Sequence, residues 1–587
     1  MKKLLVYLKD YKKESVLGPL FKLLEATFEL IVPLVMAAII DTGVATGDKS
    51  YIMKMCMVLV LLAVIGLTCS VTAQYFAAKA AVGFATKLRH ALFAHIESLS
   101  FTEMDTVGTA TLITRMTSDV NQVQNGVNLV LRLFLRSPFI VFGAMVMAFT
   151  IDVKAALVFV VTIPLLSIIV FGIMLISIPL YKKVQSALDK VLGITRENLT
   201  GSRVIRAFNK EEDETVHFNE NNDLLTRAQI YVGKISALMN PLTYVIIGAI
   251  VVLVWTGAVR VDNGYITQGE VVALINYMSQ ILVELVKLAN LIININKSIA
   301  CGNRIQSIFE MQPSITDGSG QKVDKVRTDT ADRSEEAEYA VEFSHVGLTY
   351  AGAGDESLTD IDFKVKKGET IGIIGGTGSG KSSVVNLIPR FYDVTSGFIK
   401  VDGKDVKDYP LEELRGKIGT VLQKAVLFHG TIRENLKWGN PDATEEDLNR
   451  AITVAQAKEF VDNKEGGLDF EIEQGGKNLS GGQRQRLTIA RAVVKKPEIL
   501  ILDDSASALD FATDAALRKA IREMEGETTV FIVSQRAASI QHADRIVVLD
   551  DGKIVGLGTS EELLESCEVY QEIYNSQFKK QEGGKTA

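Results

Sequence analysis

The sequence predicts an all-α six-helix transmembrane domain with long cytoplasmic helical extensions, followed by an α/β domain. The chain has 587 residues, more than the roughly 100–200 that a single domain usually contains. Residues 16–300 hold long aliphatic runs with few charges, whereas residues 310–587 have the composition of a soluble α/β domain. A positive mean hydropathy and a net charge of −7 also argue against a nucleic-acid-binding protein.

The first 14 residues predict an amphipathic helix at the cytoplasmic surface of a membrane. The start Met1-Lys2-Lys3 suggests a secretory signal, but charged residues from Lys9 to Glu14 interrupt any apolar signal core. A helix with one charged and one apolar face lies in the membrane interface rather than across it.

Six apolar stretches between residues 15 and 310 are long enough to span a bilayer, which takes about 20 residues. Two of the gaps between them are long, at residues 79–124 and 181–234, and both are rich in Lys and Arg. The positive-inside rule therefore places these gaps and both termini in the cytosol. The helices are expected to continue past the cell membrane into the cytosol. The predicted spans are centred near Pro33, Leu62, Phe142, Leu166, Ile250 and Ile281.

Charged residues within the spans are candidates for a substrate cavity, because charge is costly inside a bilayer. Glu25 and Glu29 are four residues apart and are expected to share a helix face, as are Glu284 and Lys287, three apart. Each pair either lines a polar cavity or, for Glu284 and Lys287, forms a structural pair between helices. Arg132 and Arg136 are assigned to the cytoplasmic part of the third helix rather than to a substrate path.

The second half of the chain begins after a polar connector. Residues 311–340 contain Gly318-Ser319-Gly320, many acidic residues and almost no large apolar side chains, which is typical of a mobile linker. We expect a folded domain at residues 341–577 and a polar tail at 578–587.

A phosphate-binding loop lies at residues 375–382, where the sequence matches G-x-x-x-x-G-K-S. The loop follows an apolar strand at residues 370–374 and precedes a helix, as this motif requires. These features predict an α/β P-loop nucleotide-binding domain that binds ATP. The candidate nucleotide-binding residues of this segment are Gly375, Thr377, Gly378, Ser379, Gly380, Lys381, Ser382 and Ser383.

Three further motifs accompany this loop. Gln423 and Asp503 each end an apolar strand, and Leu479-Ser480-Gly481-Gly482-Gln483 opens a helix. Backbone N–H groups at such a glycine-containing helix start suit a phosphate. In this order, behind six predicted spans, the motifs resemble an ABC exporter half-transporter of type IV, B-family-like.

This resemblance implies specific roles and an inserted helical subdomain. Tyr350 is expected to stack on adenine, Lys381 to hold phosphates, and Ser382, Gln423 and Asp503 to coordinate Mg²⁺. Ser480, Gly481, Gly482 and Gln483 would contact ATP held by a partner chain, with Ser507 and Asp510 in the adjoining D-loop. Cytoplasmic segments 109–119 and 197–208 resemble those that carry coupling helices.

Two positions depart from the family pattern at the hydrolytic step. Asp504 stands where the family has a catalytic Glu, and Gln535 stands where it has a His. Because the binding motifs are retained, the resemblance implies the degenerate-site subunit of a heterodimeric, multidrug-type exporter. Its partner would be a second half-transporter with the consensus Glu and His.

Three alternatives stay open at this stage: a homodimeric exporter, a nucleotide-gated regulatory membrane protein without active pumping, and an importer with the exporter architecture. Turnover with the cognate partner discriminates a pump from a gate. The substrate is expected to be a small amphipathic drug-, lipid- or peptide-like molecule, and composition does not choose among these classes.

Overall fold

A computed structural model describes residues 2–238, 241–242, 245, 248–318, 338–505, 507–524 and 527–582. The chain divides into two compact units. The first comprises Met1–Glu97 and Thr109–Met311, and the second comprises Ser98–Gly108 and Gln312–Ala587. Most of the predicted linker (residues 319–337) and the end of the predicted tail (residues 583–587) lie outside the described residues.

All regular secondary structure in the described residues of the first unit is helical. Five of its helical segments are long and apolar enough to cross a membrane: Lys3–Val44, Lys49–Glu97, Thr109–Ile151, Val153–Thr200 and Gln268–Glu310. The remaining predicted span, near Ile250, falls on a 14-residue helix, Ala249–Asp262, that adjoins positions outside the described residues. The count of six therefore stays a prediction.

Several of these segments change helical type along their length, including three short π-helical stretches. In chain order the helices are Lys2–Tyr11 (3₁₀), Lys12–Ala38, Ile39–Val44 (π), Lys49–Glu97, Thr109–Thr114, Arg115–Asp119 (π), Val120–Leu129, Val130–Phe134 (π), Arg136–Ile151, Val153–Thr200, Ser202–Ala207, Glu211–Ala237, Ala249–Asp262 and Gln268–Glu310.

Side chains from the turns fix where the last helix of this unit begins. Thr267 and Glu270 form a capping box at the start of Gln268–Glu310. Asp41, from the end of the first span, accepts hydrogen bonds from the Gly269 backbone N–H at 2.7 Å and from the Thr267 hydroxyl at 2.6 Å. A Cβ at Gly269 would lie 2.4 Å from the Ala37 carbonyl oxygen, so the two backbones approach closely only because this residue is glycine.

The second unit is built on a six-stranded sheet in the order β12-β11-β3-β10-β9-β6. Strands β11, β3, β10, β9 and β6 run parallel, and β12 is antiparallel to β11. Strands buried on both faces read as continuous apolar runs, as Ile499–Asp503 does. A second sheet has the order β2-β1-β4-β5, and β7 pairs with β8.

The strands are β1 (Tyr339–Leu348), β2 (Leu358–Lys366), β3 (Thr370–Gly375), β4 (Ser396–Val401), β5 (Lys404–Asp405), β6 (Ile418–Val421), β7 (Gly430–Thr431), β8 (Glu471–Ile472), β9 (Ile499–Asp503), β10 (Thr529–Val533), β11 (Arg545–Asp550) and β12 (Lys553–Gly558). The helices are Phe101–Val107, Lys381–Leu387, Leu411–Lys417, Ile432–Lys437, Glu445–Val454, Lys458–Asp462, Gly467–Asp469 (3₁₀), Gln474–Gly476 (3₁₀), Gly481–Val494, Phe511–Arg522, Ala537–Ile540, Ser560–Ser566 and Glu568–Glu582.

The segment between β6 and β9 is mainly helical. Its buried residues, such as Leu448 and Leu487, pack in one apolar cluster with Leu500 and Leu502 of β9. Because this cluster is shared with the sheet, a separate helical subdomain stays a prediction.

The second unit also contains the short helix Phe101–Val107, which sequence analysis placed within the membrane domain. The Phe101 ring lies 4.8 Å from the ring of Phe391, centroid to centroid. Tyr392 donates a hydrogen bond of 2.6 Å to Asp105. These contacts explain why residues 98–108 group with the nucleotide-binding domain rather than with the helices on either side of them in the chain.

The close approach at Gly269 predicts a position-specific effect of a single methyl group. Gly269→Ala should destabilise the first unit by about 1–3 kcal/mol, because its Cβ meets backbone rather than a flexible side chain. Gly66→Ala is the matched control: it lies inside helix Lys49–Glu97, and a Cβ there meets no atom within 4 Å. Thermal unfolding in detergent should therefore show a lower midpoint for Gly269→Ala only; equal midpoints would contradict the prediction.

Candidate functional site

The phosphate loop joins the buried strand β3 to helix Lys381–Leu387. Gly378 and Gly380 have φ of 86° and 91°, a region that disfavours residues with a side chain. A Cβ at Gly375 would lie 2.1 Å from the Leu549 carbonyl oxygen of β11. The three glycines thus allow the loop to turn tightly against the carboxyl edge of the parallel sheet.

Lys381 lies inside this loop and is almost fully buried. Its Nζ donates to the carbonyl oxygens of Gly375 at 3.0 Å and Gly376 at 2.6 Å, with the Ser379 hydroxyl at 3.4 Å. Burial lowers the pKa of the ammonium group, and the nearby charges of Asp504 and Asp503 oppose this shift. The loop therefore holds a cation where a polyphosphate would lie.

Ser382, Gln423 and Asp503 surround the carboxyl ends of β6 and β9. The Ser382 hydroxyl donates to Asp503 Oδ1 at 2.9 Å. Burial raises the pKa of Asp503, as does the charge of Asp504, and the bond from Ser382 opposes the shift. Hydroxyl, amide and carboxylate oxygens are the donor types that Mg²⁺ prefers, so this set fits the predicted magnesium ion.

Asp504 follows β9 with φ of 45°, the left-handed region. Its backbone N–H donates to the Val533 carbonyl at 3.0 Å, and its carboxylate lies 3.5 Å from the Gln423 amide nitrogen. Burial raises the pKa of Asp504, against the Gln423 contact and the charges of Arg536 and Lys381. The side chain therefore lies beside Gln423, one of the predicted magnesium ligands.

A cavity of about 650 Å³ opens over these residues. The predicted nucleotide-binding residues that line it are Tyr350, Thr377, Gly378, Gly380, Lys381, Ser382, Ser383, Gln423 and Asp503, and the two predicted hydrolytic positions, Asp504 and Gln535, line it as well. Gly375 and Ser379 lie beneath the loop instead, where they accept bonds from Lys381. Two loops contribute further lining residues that were not predicted, since neither loop carries a recognisable motif: Asp355, Glu356, Asp551 and Gly552.

Tyr350 is held in place by two contacts. Its hydroxyl donates to Ser383 Oγ at 2.9 Å, and its ring meets Tyr392 edge to face, with centroids 5.0 Å apart and planes at 89°. Burial raises the pKa of Tyr350. Because Tyr392 also bonds Asp105, the predicted adenine platform is connected to helix Phe101–Val107 through one side chain, a link that no local sequence pattern indicates.

Residues 479–483, the signature segment, form the capped start of a helix. Ser480 caps helix Gly481–Val494: its backbone N–H donates to Gln483 Oε1 at 3.0 Å, and its hydroxyl accepts from the Gln483 N–H at 3.3 Å. Gly482 lies close to the D-loop, because a Cβ there would be 3.1 Å from the Ala508 carbonyl. Among the described residues, none of the four from Ser480 to Gln483 lines the cavity over Lys381.

The D-loop forms hydrogen bonds with Asp504 and with Arg536. Ser507 Oγ donates to the Asp504 carbonyl at 2.9 Å, and Asp510 caps helix Phe511–Arg522 through the Thr513 N–H. Arg536, directly after Gln535, donates to the carbonyls of Ser507 at 3.2 Å and Leu509 at 3.4 Å. Arg536 is a site residue that sequence analysis did not identify, since its partners come from a different loop.

A second cluster of charged side chains lies within the helices of the first unit. Arg136 donates to Glu29 at 2.6 Å and to Glu284 at 2.7 Å, so Arg136 pairs with two of the residues predicted for the cavity. Glu25 accepts from Lys22 at 2.6 Å instead of joining Glu29. A buried guanidinium needs carboxylate partners, and the two partners of Arg136 come from two other helices, Lys12–Ala38 and Gln268–Glu310.

Glu29, Glu284 and Lys287 line a cavity of about 440 Å³. Lys287 donates to Glu284 at 3.0 Å, and the Ser137 hydroxyl donates to the other Glu284 oxygen at 2.8 Å. Glu25 is not among the lining residues. Three of the four predicted cavity residues therefore meet at one site. The predicted pair of Glu284 and Lys287 faces a cavity, and Glu284 also contacts a neighbouring helix.

Two family descriptions match the chain: the ABC transporter transmembrane region over residues 15–285, and the ABC transporter domain over residues 358–507. An uncharacterised ABC transporter ATP-binding protein of Mycobacterium tuberculosis is 35% identical over 575 residues, 97% of each chain. A putative multidrug export ATP-binding/permease protein of Bacillus subtilis is 32% identical, over 98% of this chain and 99% of its own length. An ATP-dependent lipid A-core flippase of Desulfotalea psychrophila is 34% identical over 83% of each chain.

The nucleotide site on an α/β sheet and the helices able to span a bilayer agree with these matches. The chain therefore belongs to the ABC transporter family. It is a multi-pass membrane protein and an ATPase-coupled translocase, which confirms the class of enzyme that the sequence predicts.

The contact between Tyr350 and Tyr392 predicts how the second ring supports nucleotide binding. Tyr392→Leu should raise the Kd for ATP about 2- to 10-fold, because an edge-to-face pair contributes about 0.5–1.5 kcal/mol. Tyr392→Phe keeps the ring and loses only the hydroxyl, so its Kd should match the wild type. Titration of the full-length chain with a fluorescent ATP analogue measures both; unchanged binding in Tyr392→Leu would contradict the prediction.

Proposed function

We propose that this chain is the degenerate-site subunit of a heterodimeric ATP-driven exporter that moves amphipathic substrates out across the cell membrane. Its own site binds ATP and hydrolyses it slowly, and its signature segment completes the hydrolytic site of a different partner. The observation that carries the proposal is the pair Asp504 and Gln535, which stand at the hydrolytic positions of an otherwise complete ATP site.

The length of Asp504 supports the slow site. Aspartate is one methylene shorter than glutamate, a difference in reach of about 1.5 Å, and a displacement of about 1 Å of a catalytic group can cost on the order of 100-fold in rate. Gln535 can donate a hydrogen bond to a phosphate oxygen, but its neutral amide cannot carry a positive charge. Both changes affect the reaction and leave the binding residues in place.

The intact signature segment supports a role at the partner's site. Ser480 to Gln483 present a capped helix start whose N–H groups suit an anion, and they do not line the cavity over this chain's own Lys381. A Cβ built at Gly481 would meet no atom within 4 Å, which leaves room for a ligand held by another chain.

The other residues of the ATP site are assigned separate roles. Tyr350 would orient the base, Lys381 and the loop amides would hold the phosphates, and Ser382, Gln423 and Asp503 would hold Mg²⁺. When bound, Mg²⁺ would neutralise charge on the phosphate oxygens. Asp504 orients a water molecule poorly because its carboxylate ends too far back, so ATP stays bound for longer than in a consensus site.

The substrate class follows from the membrane helices and from the relatives. The cavity beside Glu29 has apolar walls and a few charges, which suits molecules with both characters. One relative is named a putative multidrug export ATP-binding/permease protein and another an ATP-dependent lipid A-core flippase. We place the nucleotide-binding domain and both termini in the cytoplasm, because the Lys- and Arg-rich gaps lie on that side.

Purification with and without a partner tests the proposal. The chain expressed alone should hydrolyse ATP slowly, and co-purification with a half-transporter bearing the consensus Glu and His should give fast hydrolysis and uphill substrate movement in vesicles. Fast hydrolysis by the chain alone that Lys381→Ala abolishes would favour a homodimer. Nucleotide binding without any uphill movement would favour a nucleotide-gated membrane protein.

Unequal sites predict unequal effects of matched substitutions. In the complex, replacing the partner's catalytic Glu by Gln should abolish ATP turnover, whereas Asp504→Asn in this chain should leave most of it. The reason is that little hydrolysis passes through the cavity over Lys381 in either case. Steady-state ATPase rates of the two complexes measure this, and equal losses would overturn the assignment of the slow site.

The signature segment makes a separate prediction. Ser480→Arg should abolish most ATP turnover of the complex, because its long charged side chain occupies the space of the partner's phosphate. Ser480→Ala is the matched control: it removes the same helix cap, which costs about 1 kcal/mol, without filling that space. ATPase rates compared at equal folded fraction should separate the two variants, and similar losses would mean that only the cap matters.

A further inference from the structure

Four charged side chains in the first unit form one alternating chain of ion pairs. Glu29 contacts Arg136 at 2.6 Å, Arg136 contacts Glu284 at 2.7 Å, and Lys287 contacts Glu284 at 3.0 Å. They come from the first span, the third span and the last helix. Two acids and two bases leave the group with no net charge.

The two middle charges are buried and the two end charges are open. The side chains of Arg136 and Glu284 are 9% and 4% exposed, whereas those of Glu29 and Lys287 are 41% and 54% exposed. Glu284 is further bonded by Ser137, so both of its oxygens have partners. The two ends of the group, Glu29 and Lys287, each pair on one side only, so the group presents one half-exposed anion and one half-exposed cation.

Glu29 and Lys287 both line the cavity of about 440 Å³, and Arg136 does not. Its apolar walls include Val32, Met36 and Val283. Gln280 also lines it, and the side-chain oxygen of Gln280 is buried without a hydrogen-bond partner among the described residues. The cavity thus combines an apolar wall, two opposite charges and an unused acceptor.

We propose that this cavity binds the head of a zwitterionic amphiphile, with the ligand's cationic group on Glu29, its anionic group on Lys287 and its apolar part against Val32, Met36 and Val283. A purely cationic ligand that contacts Glu29 would also lie near Lys287. A purely anionic ligand that contacts Lys287 would also lie near Glu29. Like charges at close range disfavour both. The inference rests on the proposed exporter function and names its substrate class.

Competition binding to the purified complex tests the charge requirement. The probe is a short-chain phosphatidylethanolamine labelled on its acyl chain, and the competitors are short-chain phosphatidylglycerol, an alkyltrimethylammonium and an alkyl sulfobetaine. The wild type should bind the two zwitterions at least about 10-fold more tightly than the anionic or cationic amphiphile. Competition by both zwitterions assigns the site to the charge pair itself, and competition by phosphatidylethanolamine alone assigns it to a phospholipid.

Single substitutions should change the charge preference in opposite directions. Glu29→Gln should weaken zwitterion binding about 10-fold and improve binding of phosphatidylglycerol, whereas Lys287→Gln should improve binding of alkyltrimethylammonium. An ion-paired group contributes roughly 1.5–3 kcal/mol, which corresponds to about 10- to 150-fold in Kd. Glu25→Gln is the matched control on the same helix, since Glu25 pairs with Lys22 and does not line the cavity.

Several outcomes would overturn the inference: equal affinity of the wild type for all four amphiphiles, or substitutions that weaken binding without shifting the charge preference. If Glu29→Gln fails to fold, Lys287→Gln still tests the charge preference, because the Lys287 side chain is half-exposed. ATPase rates of the same complex are measured in parallel. Normal turnover with the predicted asymmetry of Asp504 but no charge preference would reject this inference and leave the proposed exporter intact.

Discussion

The burial of Arg136 is the constraint on which the membrane helices depend. A guanidinium held among apolar helices must be matched by carboxylates, and removing one partner of such a buried pair costs about 3–5 kcal/mol. Glu29 and Glu284 supply the match from two other helices. The first, third and last membrane segments are therefore tied at one point, and shifting any one of them would leave a charge unpaired.

This constraint also links packing to recognition. Because Arg136 is shared between two acids, Glu29 is only partly satisfied and stays open to the cavity, while Lys287 adds a second bond to Glu284 and remains open as well. Satisfying the buried centre thus determines which charges face a ligand. Apolar packing around Tyr277, whose hydroxyl donates to the Leu30 carbonyl at 2.6 Å, keeps the first and last helices in register beside this cluster.

How much of this could be predicted from the sequence depends on how local each feature is. The phosphate loop was predictable because glycines, strand and helix are neighbours in the chain, and the structure places Lys381, Ser382, Asp503 and Asp504 around one cavity. Spacing on one helix predicted that Glu284 and Lys287 would meet. The partners of Arg136 were missed, because periodicity within a helix carries no information about contacts between helices. Tyr392 and Arg536 were missed because they lie outside helices and their partners come from other parts of the chain.

The backbone around Asp504 is consistent with the slow site proposed for this chain. Its N–H is bonded to Val533, its carbonyl to Ser507, and its φ is left-handed, so the main chain is not free to advance and make up for a short side chain. The same bonds, with those from Arg536 to Ser507 and Leu509, hold the D-loop. In the proposed heterodimer that loop adjoins the partner's site. One set of hydrogen bonds would then both limit hydrolysis over Lys381 and stabilise the surface that this chain contributes to its partner.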